Sequence, residues 1–144
     1  MPLARPRGEH EQQACAAVGR HRAALVRVEA EQVADTCIDE LVARLDAGAA
    51  VALATDFNPG SAFCESLPLC SSLASTQLKL SPAEALAACT VNAAHVLGRA
   101  GRIGRLAAGY RADVVLLDAS DWRYLAYHLG ADVVDRVVLG GELP

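Results

Sequence analysis

The chain has 144 residues, 13 of them Lys or Arg and 17 Asp or Glu, for a net charge of -4. Its hydrophobic share of 53% and mean hydropathy of +0.23 exclude a disordered chain and suffice for one domain with a core. The acidic balance excludes a general attraction to nucleic acid or to an anionic membrane, and no apolar run is long enough to span a bilayer. Aromatic residues are only 4%, so small residues must do the packing.

The five cysteines are Cys15, Cys37, Cys64, Cys70 and Cys89, an odd number with no Cys-x-x-Cys pair. With no signal-peptide pattern at the start, the expectation is reduced thiols in a cytoplasmic protein. A zinc-thiolate site is the weaker reading of the same residues.

Taken in chain order, residues 1–14 read as a loose polar end and 15–34 as a segment without a clean apolar stripe. Ile38, Leu41, Val42 and Leu45 recur at helical spacing, which predicts a helix over 36–47 ended by Gly48. The run Ala49-Ala50-Val51-Ala52-Leu53-Ala54 then predicts a buried parallel strand at 50–54, apolar on both faces. Thr55-Asp56-Phe57-Asn58-Pro59-Gly60 follows at once as a tight polar loop, with backbone N–H groups expected to face a ligand.

A helix is expected from Leu67 to Leu80. Ser81-Pro82-Ala83-Glu84 opens another, with a capping box, that continues to Leu97 and stops at Gly98. Gly101, Gly104 and Gly109 punctuate a turn-rich stretch. Val114-Val115-Leu116-Leu117 and Val133 to Leu139 are β-type runs, the second closed by Gly140-Gly141.

Asp56 is the leading candidate for chemistry. An Asp at the carboxyl end of a barrel strand can ligate a metal and take a proton from an attacking water. Alternatively it caps the following turn. Asn58, Gly60 and Ser61 can hydrogen-bond a polar ligand, or they form an ordinary Asn-Pro-Gly turn. His95 is expected on a helix surface and His128 within the aromatic stretch 124–128. His10 and His21 show no His-x-His spacing. Ser81 with Glu84 is explained by helix capping, and Gly98, Gly101 and Gly104 do not form a dinucleotide fingerprint.

Thr55-Asp56-Phe57-Asn58-Pro59-Gly60-Ser61 resembles the loop after the last barrel strand of the imidazolonepropionases, within the metal-dependent amidohydrolases. Glu65-Ser66-Leu67-Pro68-Leu69, Leu80-Ser81-Pro82-Ala83-Glu84-Ala85-Leu86 and Thr90-Val91-Asn92-Ala93-Ala94 resemble the same family. Gly104-Arg105-Leu106 and Gly109-Tyr110-Arg111-Ala112-Asp113-Val114-Val115 are similar to the general superfamily tail. Tyr127-His128-Leu129-Gly130 is similar to an element near the family's carboxyl end. The resemblance covers roughly residues 48–144.

The resemblance implies an α/β chain: the carboxyl-terminal fragment of a (β/α)8 TIM barrel, followed by strands of a small β-sandwich domain. Residues 1–35 are a poorly defined lead, 36–100 the barrel part and 101–144 the β part. The implied reaction is hydrolysis of 4-imidazolone-5-propanoate to N-formimidoyl-L-glutamate in histidine breakdown. The implied cofactor is one zinc or iron ion, with Asp56 as ligand and catalytic carboxylate and Asn58, Gly60 and Ser61 as substrate contacts. A small-molecule substrate and a homodimer are the implied partners.

The family's His-x-His pair, its mid-barrel histidine and its earlier Arg, Tyr and Glu have no counterpart here. One carboxylate does not hold a catalytic metal, which takes about three protein ligands. The expectation is therefore negligible activity from the chain alone, and a partial barrel whose open surfaces associate. Two other readings remain, a non-catalytic interaction module and a different amidohydrolase such as a nucleobase deaminase. The Phe57-Asn58-Pro59-Gly60 loop argues against the latter.

Overall fold

A computed structural model describes residues 42–143 except 44 and 61. The lead over 1–35, the start of the first helix, Cys15, Cys37, His10, His21 and Ser61 lie outside the described residues. Val42, Ala43, Leu45 and Asp46 are helical, and Ala47 N–H donates to the Ala43 carbonyl at 3.0 Å. Gly48, at φ 79°, ends this helix as expected, its N–H reaching the Leu45 carbonyl at 2.9 Å.

The expected strand at 50–54 does not form. Val51 and Ala52 are buried in the core, but the segment joins no ladder among the described residues. A strand needs a neighbouring strand, and the sheet among the described residues holds only the two strands at 114–117 and 134–138. Helices take over the hydrogen bonding. Leu53 N–H donates to the Ala88 carbonyl at 3.1 Å, and the Asn92 side chain donates to the Val51 carbonyl at 2.8 Å.

Helix α1 spans Leu67–Thr76, capped by Ser66 Oγ, which accepts from Leu69 N–H at 3.2 Å. It stops short of the expected Leu80. Lys79 adopts φ 58°, and this left-handed turn folds Leu78 and Leu80 back into the core instead of continuing the helix. Leu80 N–H closes the turn on the Ala74 carbonyl at 3.1 Å. Val51, Ala74, Leu78, Leu80 and Ala85 form the core, with Leu45 and Leu53 against it. Each buried leucine there contributes on the order of 1.5–3 kcal/mol.

Helix α2 spans Pro82–Cys89 and carries the expected capping box. Glu84 N–H donates to Ser81 Oγ at 3.3 Å, and Ser81 N–H donates to Glu84 Oε2 at 2.8 Å. The expected continuous helix to Leu97 is broken at Thr90, whose φ of -120° and ψ of -86° are not helical. Its hydroxyl donates to the Leu86 carbonyl at 2.7 Å, taking an acceptor that an unbroken helix would give to the Thr90 N–H. Helix α3, Val91–Val96, follows the break. Gly98 ends it with a Schellman pattern: its N–H reaches the His95 carbonyl at 3.0 Å, and Arg99 N–H the Ala94 carbonyl at 2.8 Å. Gly104, at φ 91°, lies so close to α3 that a Cβ would fall 2.7 Å from Ala94 Cβ and 2.9 Å from the Thr90 carbonyl oxygen.

Strands β1 (Val114–Leu117) and β2 (Val134–Val138) pair antiparallel as a two-stranded sheet, with a register shift between Leu116 and Leu117. Helix α4, Tyr124–Tyr127, lies between them in sequence and packs on α1, where Ser72 Oγ donates to the Leu125 carbonyl at 2.7 Å. The aromatic rings of 124–128 touch one another, with centroids 6.2 Å apart for Tyr124 and Tyr127, but Tyr127 is 82% exposed and His128 faces solvent. His128 meets the edge of the Tyr124 ring, with centroids 6.5 Å apart.

Replacing Ser81 with Ala should lower stability by about 1 kcal/mol in a denaturant melt, because Glu84 N–H loses its acceptor. An unchanged midpoint would show that the box contributes nothing. Among the described residues the sheet has two strands, and it leaves the cross-strand pair Val115 and Val137 exposed, at 53% and 37%. The purified chain should therefore associate in light scattering, and a clean, stable monomer would contradict this.

Candidate active-site loop

The buried segment 51–53 delivers the chain to Asp56, which takes φ 48°. Asp tolerates this left-handed conformation better than most residues, since its short polar side chain can hydrogen-bond locally. The loop then closes on itself. Asn58 N–H donates to the Ala62 carbonyl at 3.0 Å, bridging the two sides. Asn58 Nδ2 donates to the Asp56 carbonyl at 2.8 Å, and Asn58 Oδ1 accepts from Gly60 N–H at 2.9 Å.

The Asn-Pro-Gly turn expected from the sequence is thus present, but its N–H groups are not presented to a ligand. Those of Asn58 and Gly60 are directed to acceptors within the loop. The Asn58 amide reaches back to Asp56 and forward to Gly60, so it holds the loop's shape. A Cβ at position 60 would sit 3.3 Å from Asn58 Oδ1, which favours glycine there. Asp56 is half-buried, and the rings of Phe57 and Phe63 flank the turn with centroids 5.2 Å apart, Phe63 being 80% exposed. Ser61, expected beside them, lies outside the described residues.

His95 is exposed near the end of α3, as expected, and His128 is exposed after α4. No group of three His, Cys, Asp or Glu side chains able to hold a metal exists among the described residues. Cys64, Cys70 and Cys89 are free thiols. Burial, with a smaller effect from Cys70, pushes the Cys89 thiol up to about 11, and burial followed by Cys64 raises Cys70. Little of the Cys89 thiol is therefore thiolate near neutral pH.

The residue that sequence reasoning missed is Asn92. It is 9% exposed, and its side chain holds the segment leading to Asp56. The available signal was an amide set among Val91, Ala93 and Ala94, where an unpaired polar group would be costly.

The pattern describing the amidohydrolase family matches residues 16–143, more than half of the chain. The chain belongs to the amidohydrolase family. The match takes in residues 16–47, which the motif resemblance had left out. An imidazolonepropionase of Rubrobacter xylanophilus is 67% identical over 101 residues, which are 70% of this chain and 24% of that protein. Imidazolonepropionases of Parabacteroides distasonis and Solibacter usitatus are 48% and 50% identical over 69% and 72% of this chain and 24% of each relative. This amidohydrolase chain thus spans about a quarter of the length of the curated relatives it matches.

Alkylation by iodoacetamide at pH 8 should be roughly a hundredfold or more slower at Cys89 than for free cysteine, since so little thiolate is present. Peptide mapping reads this directly, and a fast-reacting Cys89 would show the thiol to be solvated.

Proposed function

We propose that this chain is the carboxyl-terminal part of an imidazolonepropionase. Such a hydrolase opens the ring of 4-imidazolone-5-propanoate with water and yields N-formimidoyl-L-glutamate in histidine breakdown. The observation that carries this reading is the 67% identity to the Rubrobacter xylanophilus imidazolonepropionase. The Asp56–Gly60 loop supports it, because a half-buried carboxylate stands on a turn whose backbone is held by its own Asn58.

In this reading residues 36–100 close a (β/α)8 TIM barrel, and 101–144 contribute strands to a small β-sandwich domain. The protein would work in the cytoplasm, as a homodimer, on a small-molecule substrate. Asp56 would accept the proton of the attacking water, a role that contributes about 10²–10⁴-fold when the carboxylate is well placed. Asn58, Gly60 and Ser61 would border the bound substrate, with Asn58 also keeping Asp56 in place.

The zinc or iron ion implied by the family does not fit the described residues. They supply Asp56 but no group of three ligands, and a catalytic metal takes about three. The chemistry assigned to this chain is therefore proton transfer at Asp56 alone, and the chain by itself should show negligible turnover.

The test is a chimera in which residues 42–143 replace the corresponding stretch of the Rubrobacter xylanophilus relative. It should open the imidazolone ring, and Asp56→Ala should reduce kcat by about 10²–10⁴-fold. A folded chimera without turnover, or full turnover by the Asp56→Ala form, would overturn the proposal.

A further inference from the structure

We infer that Asn92, together with the helix break at Thr90, is a positioning device that sets the height and direction of the segment carrying Asp56. This rests on the reading of Asp56 as the reacting carboxylate proposed above. Two hydrogen bonds hold this segment to the helices. Asn92 Nδ2 donates to the Val51 carbonyl at 2.8 Å, and Leu53 N–H donates to the Ala88 carbonyl at 3.1 Å. Both partners on the helical side flank the break, two residues before it and two after.

The break makes this grip available. In an unbroken helix the Ala88 carbonyl would accept from the Asn92 N–H. At Thr90 the chain leaves helical geometry, its hydroxyl takes the Leu86 carbonyl at 2.7 Å, and its N–H takes the Ala87 carbonyl at 3.3 Å. The Ala88 carbonyl instead accepts from Leu53, and Asn92 at the start of α3 reaches Val51. Gly104 presses on the same corner, where its missing Cβ permits approach to Ala94 and to the Thr90 carbonyl.

The Asn92 amide is 9% exposed, and its Oδ1 is buried with no hydrogen-bond partner among the described residues. Its grip on the chain therefore runs through Nδ2 to a residue 41 positions away. Asp56 lies three residues beyond Leu53 and is joined to the next turn by Asn58. Two tethers upstream and one downstream thus hold the backbone on either side of Asp56.

The experiment is residue-resolved hydrogen exchange by NMR on the 144-residue chain and its Asn92→Leu form, which keeps the volume and removes the donor. A Thr90→Val form, which keeps the shape and removes the hydroxyl, serves as a second variant. Both should speed exchange of the Leu53, Asn58 and Gly60 amides by about tenfold or more, while the Gln77 and Ala85 amides keep their rates. Uniform acceleration, or none at Leu53, would overturn the tether. In the chimera described above, Asn92→Leu should lower kcat about tenfold with KM within about twofold. An active chimera with unchanged kcat would overturn the positioning role. Full turnover by Asp56→Ala would instead sink the assignment of Asp56 and leave the exchange result standing.

Discussion

The buried hydrogen bond from the Asn92 amide to the Val51 carbonyl joins two parts of the chain 41 residues apart, and much of the molecule is arranged around it. Residues 51–53 enter the core without a strand beside them, so their backbone groups require partners from elsewhere. The break at Thr90 meets that requirement by turning one carbonyl and one amide toward them. The α1–α2 connection closes the same core from the other side, where Lys79 turns left-handed and sends Leu78 and Leu80 inward.

The Asp56 loop extends this arrangement. Its geometry comes from Asn58, which bonds backward to Asp56 and forward to Gly60, and from the bridge to Ala62. An Asn at this place therefore has a structural duty whatever else it touches. The carboxylate before it stands at the end of a buried, tethered segment, which suits a group whose position matters more than its mobility. The chain belongs to the amidohydrolase family, and its described residues hold this one loop with the helices behind it.

Local signals were legible where local chemistry decides. The Ser81–Glu84 capping box, the left-handed stops at Gly48 and Gly98, the two β-type runs and the turn at Gly140-Gly141 all stand as their residues imply. Failures came where distant partners decide. The apolar run before Asp56 has the composition of a buried strand, yet no strand lies beside it among the described residues, so it bonds to helices. The long helix read through Thr90 breaks because a hydroxyl competes for a carbonyl, and spacing of apolar residues carries no trace of that. At the loop, the turn was readable from Asn58-Pro59-Gly60. That its N–H groups face inward depends on the Asn58 rotamer and on Ala62 across the turn.

On the proposed function, this chain carries one acidic group of an active site, Asp56, and no group of three metal ligands exists among the described residues. Metal content, measured together with imidazolonepropionate turnover on the purified 144-residue chain, tests that most directly. The account predicts far less than one zinc or iron per chain and no turnover. Stoichiometric metal with turnover would contradict it, since it would mean that this chain assembles a complete site around Asp56.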